Sequence, residues 1–474
     1  MKNKRPSVFL MALVLCLSVN VLSAAKFILT SPCGKYLQHA DGKPFLWLGD
    51  TAWELFHRLN REDANMYLED RANKGFTIIQ AVVLAEMSGL SEPNAYGYLP
   101  LIDRDPMRPN EAYFEHVDFI VNQAAKLGLV VGMLPSWGDK VTDANGGEPV
   151  IFNPDNAFLF GKFLGNRYKD SPIIWILGGD RNILNDYELE VWRAMANGLR
   201  KGDEGNHLIS YHPRGASSSH EVLHNEPWLD FNIYQSGHSN RYMQVYHYAE
   251  TLLGIEPRKP FIDGEPAYEE IALEFWNYVD WSSPLRVPQN VLNDDYIIVD
   301  KSHFKRGFFT AHDIRVHAYW NFLSGACGYT YGTNAIWQMF EKKGSFAIPA
   351  LSDWRDALHL EGAFQMAHLR KVFEQYPFEK LVPAQHLVLG DNPHDSTHVR
   401  AAYACDNSFA LVYLSVGQKV NVDVSNFGKQ FSARWYDPRS GNYFPVKKLR
   451  NKGTAYFTAP SSGTNNDWLL IIEH

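Results

Sequence analysis

Two textures alternate along the first three quarters of this chain. Short runs rich in β-branched and aromatic residues are each followed by a longer stretch with apolar residues at helical spacing. Eight runs read as strands: Phe45–Leu48, Ile78–Val83, Val130–Leu134, Ile173–Leu177, Leu208–Tyr211, Phe231–Tyr234, Pro260–Ile262 and Gly328–Tyr331. Helices are predicted over Glu111–Lys126, Asn156–Tyr168, Tyr187–Leu199, Arg241–Leu253, His312–Leu323 and Trp354–Gln375. The first stops at Gly128, and the second follows Asn153-Pro154-Asp155, a helix-start signature. This alternation predicts a parallel α/β architecture, and eight such units fit a (β/α)8 TIM barrel better than an open doubly wound sheet. A nucleotide-binding sheet would also place a Gly-rich turn after its first strand. Here the sequence continues Gly49-Asp50-Thr51-Ala52-Trp53.

Beyond Pro377 the helical texture stops. Runs such as His386–Leu389, Phe409–Ser415 and Trp468–Ile472 are separated by turn residues, which predicts a small all-β, sandwich-like domain. The expected organisation is a signal peptide over 1–25, a barrel over 26–376 and a β domain over 377–474. The signal reading rests on basic Lys2, Lys4 and Arg5, the apolar stretch Val8 to Leu22, and small Ser23, Ala24 and Ala25. It predicts export, to the periplasm or beyond, with no integral membrane segment once the signal is removed.

Charge and cysteines narrow the function. The net charge of −8 without a Lys/Arg cluster argues against a nucleic-acid partner. Outside the apolar leader only Cys33, Cys327 and Cys405 remain, which is neither a disulfide framework nor a zinc pattern. H-x-H, H-E-x-x-H and G-x-S-x-G signatures and phosphate-binding loops are missing, so neither a metal nor a cofactor is implied. Aromatics make up 14% of residues, enough both to fill a large barrel and to offer flat faces to sugars.

In a barrel of this kind the chemistry sits at the C-terminal strand ends. The fourth strand runs into Gly178-Gly179-Asp180, and the seventh into Asp263-Gly264-Glu265. These ends lie across the barrel mouth from one another, so Asp180 and Glu265 can face each other over a sugar. Glycoside hydrolysis needs such a pair, one carboxyl protonated and one ionised, roughly 5–5.5 Å apart for retention and roughly 6.5–9.5 Å for inversion. Other strand ends offer groups for binding a polysaccharide or oligosaccharide: Asp50, Trp53, Gln80, Trp137, Asn182, His212, Tyr234, His238, Tyr268, Tyr331 and Trp337. Glu54, Glu86, Asp263 and Glu269 are rival acids. Strand periodicity puts Asp263 on the same face as Glu265, in a supporting role.

The segments 43–54 (KPFLWLGDTAWE), 172–182 (PIIWILGGDRN), 259–269 (KPFIDGEPAYE) and 315–337 resemble the apiosidase-like glycoside hydrolases, glycoside hydrolase family 140. The C-terminal Ala433–Gly441 resembles the small β domain that often follows this barrel and carries a collagen-binding label. The resemblance implies an endo-acting enzyme that cuts at apiose in the side chains of rhamnogalacturonan-II, with Asp180 as acid/base and Glu265 as nucleophile. The wider superfamily often has Asn-Glu at the fourth strand end, where this chain has Gly179-Asp180. Glu270–Arg306 reads as a substrate-shaping insertion. The alternative is a non-catalytic carbohydrate-binding or adhesion protein on a barrel scaffold.

Overall fold

In the computed structural model, residues 27–143 and 148–474 are described. The segment read as a signal peptide therefore lies outside the described residues. Three short antiparallel strands, Ile28–Thr30, Leu37–His39 and Pro44–Phe45, precede the barrel. The barrel strands are β1 (Trp47–Thr51), β2 (Ile78–Leu84), β3 (Val130–Ser136), β4 (Ile173–Gly178), β5 (Ile209–His212), β6 (Asn232–Gln235), β7 (Phe261–Asp263) and β8 (Gly328–Tyr331). They pair in parallel in the order β5-β4-β3-β2-β1-β8-β7-β6, and the two-residue strand Ser217–Ser218 joins the free edge of β6 antiparallel. The ring is closed between β5 and β6 by other bonds. Asp230 N–H donates to the Ile209 carbonyl at 2.9 Å and the Ser210 hydroxyl to the Phe231 carbonyl at 2.7 Å. The sheet is thus a nearly closed (β/α)8 barrel.

The main outer helices are α1 (Arg61–Asn73), α2 (Glu111–Lys126), α3 (Pro154–Tyr168), α4 (Asp186–Gly202), α5 (Tyr246–Leu253), α6 (Ala311–Leu323) and α7 (Glu361–Gln375). Two expectations are corrected. The first strand begins at Trp47, because Pro44–Phe45 pairs with the leading hairpin instead. The single helix expected over Trp354–Gln375 is broken: Trp354–Ala357 ends, Leu360 is extended, and α7 restarts at Glu361. The restart aims the Gly362 N–H at the buried Glu269 carboxylate, 3.1 Å away, where the positive helix end favours negative charge.

The C-terminal strands form two sheets. One contains Leu381–Pro383, Val399–Ala404, Phe409–Leu414, Trp468–Glu473, Gln430–Asp437 and Asn442–Arg450; the other contains Val388–Leu389, Gly417–Asp423 and Thr454–Gly463. One hydrophobic cluster runs from the barrel interior through α6 and α7 into Leu411, Tyr413, Leu469 and Ile471 of the larger sheet. At its centre Tyr319 stacks on Tyr413 with centroids 4.6 Å apart. Beside them Arg315 of α6 grips Asp467 through two bonds of 2.9 and 2.7 Å. Among the described residues no helix is long and apolar enough to cross a membrane.

Candidate active site

The mouth of the barrel is assembled from strand ends. Glu265 follows β7 by two residues, and its main chain is pinned by neighbours: its carbonyl accepts from Gly237 N–H at 3.0 Å. Across the barrel interior the Gln80 amide of β2 donates to the Gly264 carbonyl at 2.8 Å. The Glu265 side chain is only 8% exposed, and two imidazoles approach it. His238 Nε2 bonds Oε1 at 3.2 Å, and His212 Nε2 lies 3.2 Å from Oε2. His212 Nδ1 accepts the main-chain N–H of Asp180 at 3.4 Å, which leaves its proton on Nε2, toward Glu265. One ring thus touches both strand-four and strand-seven ends.

The fourth strand end leaves the sheet through a strained turn. Gly178, Gly179 and Asp180 have φ of 82°, 118° and 49°, three left-handed residues in succession. Glycine permits the first two, and aspartate tolerates the third. Space demands the same residues. A Cβ on Gly179 would stand 2.6 Å from the Trp137 ring, and one on Gly178 would stand 2.4 Å from the His212 carbonyl. We expect Gly179→Ala to cost about 1–3 kcal/mol through overpacking and strain, and to lower kcat by moving Asp180. Thermal melts and steady-state rates on one preparation measure both losses, and a variant matching the wild type in each would refute this packing argument.

The two carboxyls differ in electrostatics. Burial, then the nearby Glu265 charge, raise Asp180 above the usual carboxylate range against the pull of Arg181, His212 and Arg214. Burial pushes Glu265 up too, but the contacts from His212 and His238 outweigh it and hold Glu265 below that range. Asp180 keeps 35% of its side chain open to solvent, with Arg181 Nη1 3.3 Å from Oδ2. The arrangement therefore offers one carboxyl inclined to hold its proton and one inclined to stay ionised, the division that acid/base chemistry on a glycosidic bond requires.

Aromatic rings wall this pair. Trp53 donates its indole N–H to the Tyr268 hydroxyl at 3.2 Å, and packs against Trp137 and His212 at 5.2 and 5.3 Å. Tyr268 packs on His238 at 4.6 Å. Asn182, just beyond Asp180, ties down the next loop by donating to the Ser217 hydroxyl at 2.9 Å and accepting from Arg214 N–H at 3.0 Å.

Comparison with known proteins adds the chemistry. The family described as "Apiosidase-like, catalytic domain" matches residues 31–380. The chain belongs to the apiosidase-like family. Residues 382–473 match the family described as "Putative collagen-binding domain of a collagenase". A solved structure described as a glycoside hydrolase is similar at 32% identity, covering 95% of this chain and 97% of its own, with a TM-score of 0.81. A glycoside hydrolase family 5 structure from Bacteroides vulgatus ATCC 8482 is similar at 30% identity, covering 94% and 93%, with a TM-score of 0.78. No curated protein matches the chain. This apiosidase-like protein is a glycoside hydrolase.

Three residues expected to bind substrate are placed elsewhere in this apiosidase-like barrel. Asp50 points out of the barrel, where its Oδ2 accepts from Arg71 Nε and the Tyr67 hydroxyl of α1, each at 2.6 Å. Tyr331 is its partner across the β8–β1 pairing and shares that outer face; its hydroxyl donates to Glu269 at 2.6 Å. Tyr234 stacks on Tyr248 of α5 at 4.7 Å and gives its hydroxyl proton to Asn321 of α6. Successive strand residues alternate faces, so each of these side chains sits between sheet and helices. Trp337, in the short helix after β8, is buried and donates its indole N–H to Asn334 at 3.3 Å.

The rival acids separate. Glu54 is bonded by His57 Nδ1 at 2.7 Å and by Met87 N–H at 3.0 Å, and Glu269 serves Tyr331 and α7. Asp263 does not share the face of Glu265: β7 ends at Asp263, which accepts from the Ser236 hydroxyl at 2.7 Å and from Asn321 at 3.2 Å on the helix side. Glu86 is different. It follows β2 close to Asp180, and burial and the neighbouring Asp180 charge raise it well above the usual carboxylate range. In the sequence it stands both as a polar group at the end of the second strand and as one of four rival acids.

Proposed function

We propose that this hydrolase cleaves at apiose in rhamnogalacturonan-II side chains, with Asp180 as acid/base and Glu265 as nucleophile of a retaining mechanism. The observation that carries the reading is the placement of Asp180 and Glu265 at the ends of β4 and β7 with His212 between them, its Nδ1 accepting the Asp180 N–H and its Nε2 3.2 Å from Glu265. The opposed electrostatic bias of the two carboxyls supports it. The family match supports the apiose specificity, and the N-terminal basic, apolar and small-residue pattern supports export toward a plant polysaccharide.

Asp180 donates its proton to the leaving oxygen while Glu265 attacks the anomeric carbon. The glycosyl-enzyme is then hydrolysed by water, whose proton Asp180 accepts. The direct test is incubation with purified rhamnogalacturonan-II fragments followed by mass spectrometry and product NMR. Fragments cut at apiose, with the starting anomeric configuration kept, are expected. No cleavage at apiose would refute the specificity, and inverted product would refute the nucleophile assignment.

Proton donation has its own signature. General acid catalysis contributes about 10²–10⁴-fold. Asp180→Asn should lose that on natural glycosides and far less on activated aryl glycosides, whose leaving groups depart without a proton. The rate profile should fall at low pH as Glu265 takes up a proton and at high pH as Asp180 loses one, and Asp180→Asn should abolish the alkaline limb. Equal losses on both substrate types with both limbs intact would remove Asp180 from this role.

A further inference from the structure

The chain has thirteen tryptophans. All are buried except Trp276 and Trp281, which are 44% and 53% exposed. Both lie in one loop, between β7 and α6, and this loop is tied directly to the catalytic mouth. Glu274 N–H donates to the carbonyl of His238 at 2.9 Å. The Phe275 ring packs on the His238 ring at 6.1 Å, and Nε2 of the same imidazole bonds Glu265. From Phe275 the aromatic surface continues outward to Trp276 at 5.2 Å and Trp281 at 6.4 Å.

Leaving two indoles in water forfeits their burial, so their retention at a rim asks for an occupant. The surroundings define its chemistry. The Arg286 guanidinium lies over the Trp281 ring, 5.4 Å from its centroid, and Glu274 pairs with Arg306 at 2.7 Å. Charged groups thus border this aromatic strip, and Arg286 covers part of Trp281 while half of that ring stays open, unlike the uncharged oily patch that would seat a protein. A sugar presents such a surface in negative: one face of axial C–H groups for the ring, and hydroxyls around the edge for the polar frame. The loop backbone is also held in unusual conformations, with φ of 50° at Glu274 and 62° at Arg286, so the presentation of the rings is built in.

We infer that Trp276 and Trp281 form a sugar-stacking subsite that holds the glycan beyond the residue being cleaved. The inference rests on the assignment of the Asp180–Glu265 cleft as the site of cleavage. It makes the enzyme a reader of several sugar units, since Phe275 and not either tryptophan meets His238.

The test uses the full chain carrying Trp276→Ala and Trp281→Ala together; both rings are exposed, so folding is spared. Against rhamnogalacturonan-II oligosaccharides KM should rise roughly tenfold or more, while kcat/KM on 4-nitrophenyl apioside should hold within about twofold. A rise common to both substrates, or no rise on the oligosaccharides, overturns the subsite. A second measurement does not need turnover. Native gels cast with pectin, arabinoxylan or galactomannan should retard Glu265→Gln in at least one polysaccharide, and the two tryptophan substitutions in that background should release it. If wild type cleaves neither substrate, the apiose reading fails and the gels alone decide. Retardation that survives the substitutions, or no retardation in any gel, overturns the subsite.

Discussion

Replacing Glu265 by glutamine should abolish turnover, lowering kcat by roughly 10⁴-fold or more, with KM changed far less. The amide keeps the size of the carboxylate, so the walls formed by Trp53, Trp137 and Tyr268 remain filled. It cannot, however, supply a negative oxygen to the anomeric carbon. Its environment shows how committed the native side chain is to that charge: His238 Nε2 and His212 Nε2 each stand 3.2 Å from a carboxylate oxygen, and together they hold it ionised despite burial. The glutamine NH2 faces one of these donors, so a small shift in melting temperature accompanies the lost activity. Stopped assays over long incubation, with isothermal titration of oligosaccharide into the variant, separate the two effects. Turnover within about tenfold of wild type would take Glu265 out of the chemistry.

The second large effect concerns stability. Arg315→Ala should cost about 3–5 kcal/mol, because it leaves Asp467 charged, buried and short of its main partner. Asp467 accepts from Arg315, from the Tyr413 hydroxyl at 2.9 Å, and lies 3.5 Å from His312. Arg315 also donates to Asn465 at 2.9 Å and to Gln365. Burial opposes ionisation of Asp467, and the guanidinium outweighs it, so the carboxyl is held well below the usual carboxylate range. A depressed folded-state pKa stabilises above the unfolded value and loses that contribution as pH falls through the folded one. The gap between wild type and variant should therefore be full near neutrality and shrink on acidification below the ordinary carboxylate range. Denaturant melts at several pH values measure it. Pairing Arg315→Leu with Asp467→Leu should recover much of the loss; no recovery would mean that packing rather than charge sets the cost.

The acid pair proposed for the chemistry stands out in the sequence because an acid directly after an apolar run is visible without coordinates. Asp180 and Glu265 each follow such a run, and His212 and His238 follow the neighbouring strands. The barrel was legible for the same reason. What sequence misplaced was the facing of side chains at the rim. Asp50 stood beyond the expected first strand, yet β1 extends through it and turns it toward Arg71. Asp263 was expected beside Glu265, yet the strand ends there and the chain turns. A one-residue change in where a strand stops exchanges inside for outside. The exposed tryptophans were hidden differently. Nothing in composition separates Trp276 and Trp281 from the rings that fill the core, and only accessibility singles them out.

The left-handed turn at the end of β4 limits how this scaffold can be rebuilt. Gly179 leaves no room for a side chain beside Trp137, and Gly138 leaves none beside the Gly179 carbonyl and the Arg181 stem. Residues 137–138 and 178–181 are therefore interlocked across two loops. An engineer transplanting the acid-bearing loop into another barrel would have to carry the tryptophan-glycine pair with it, and shuffling either loop alone would yield misfit chimeras.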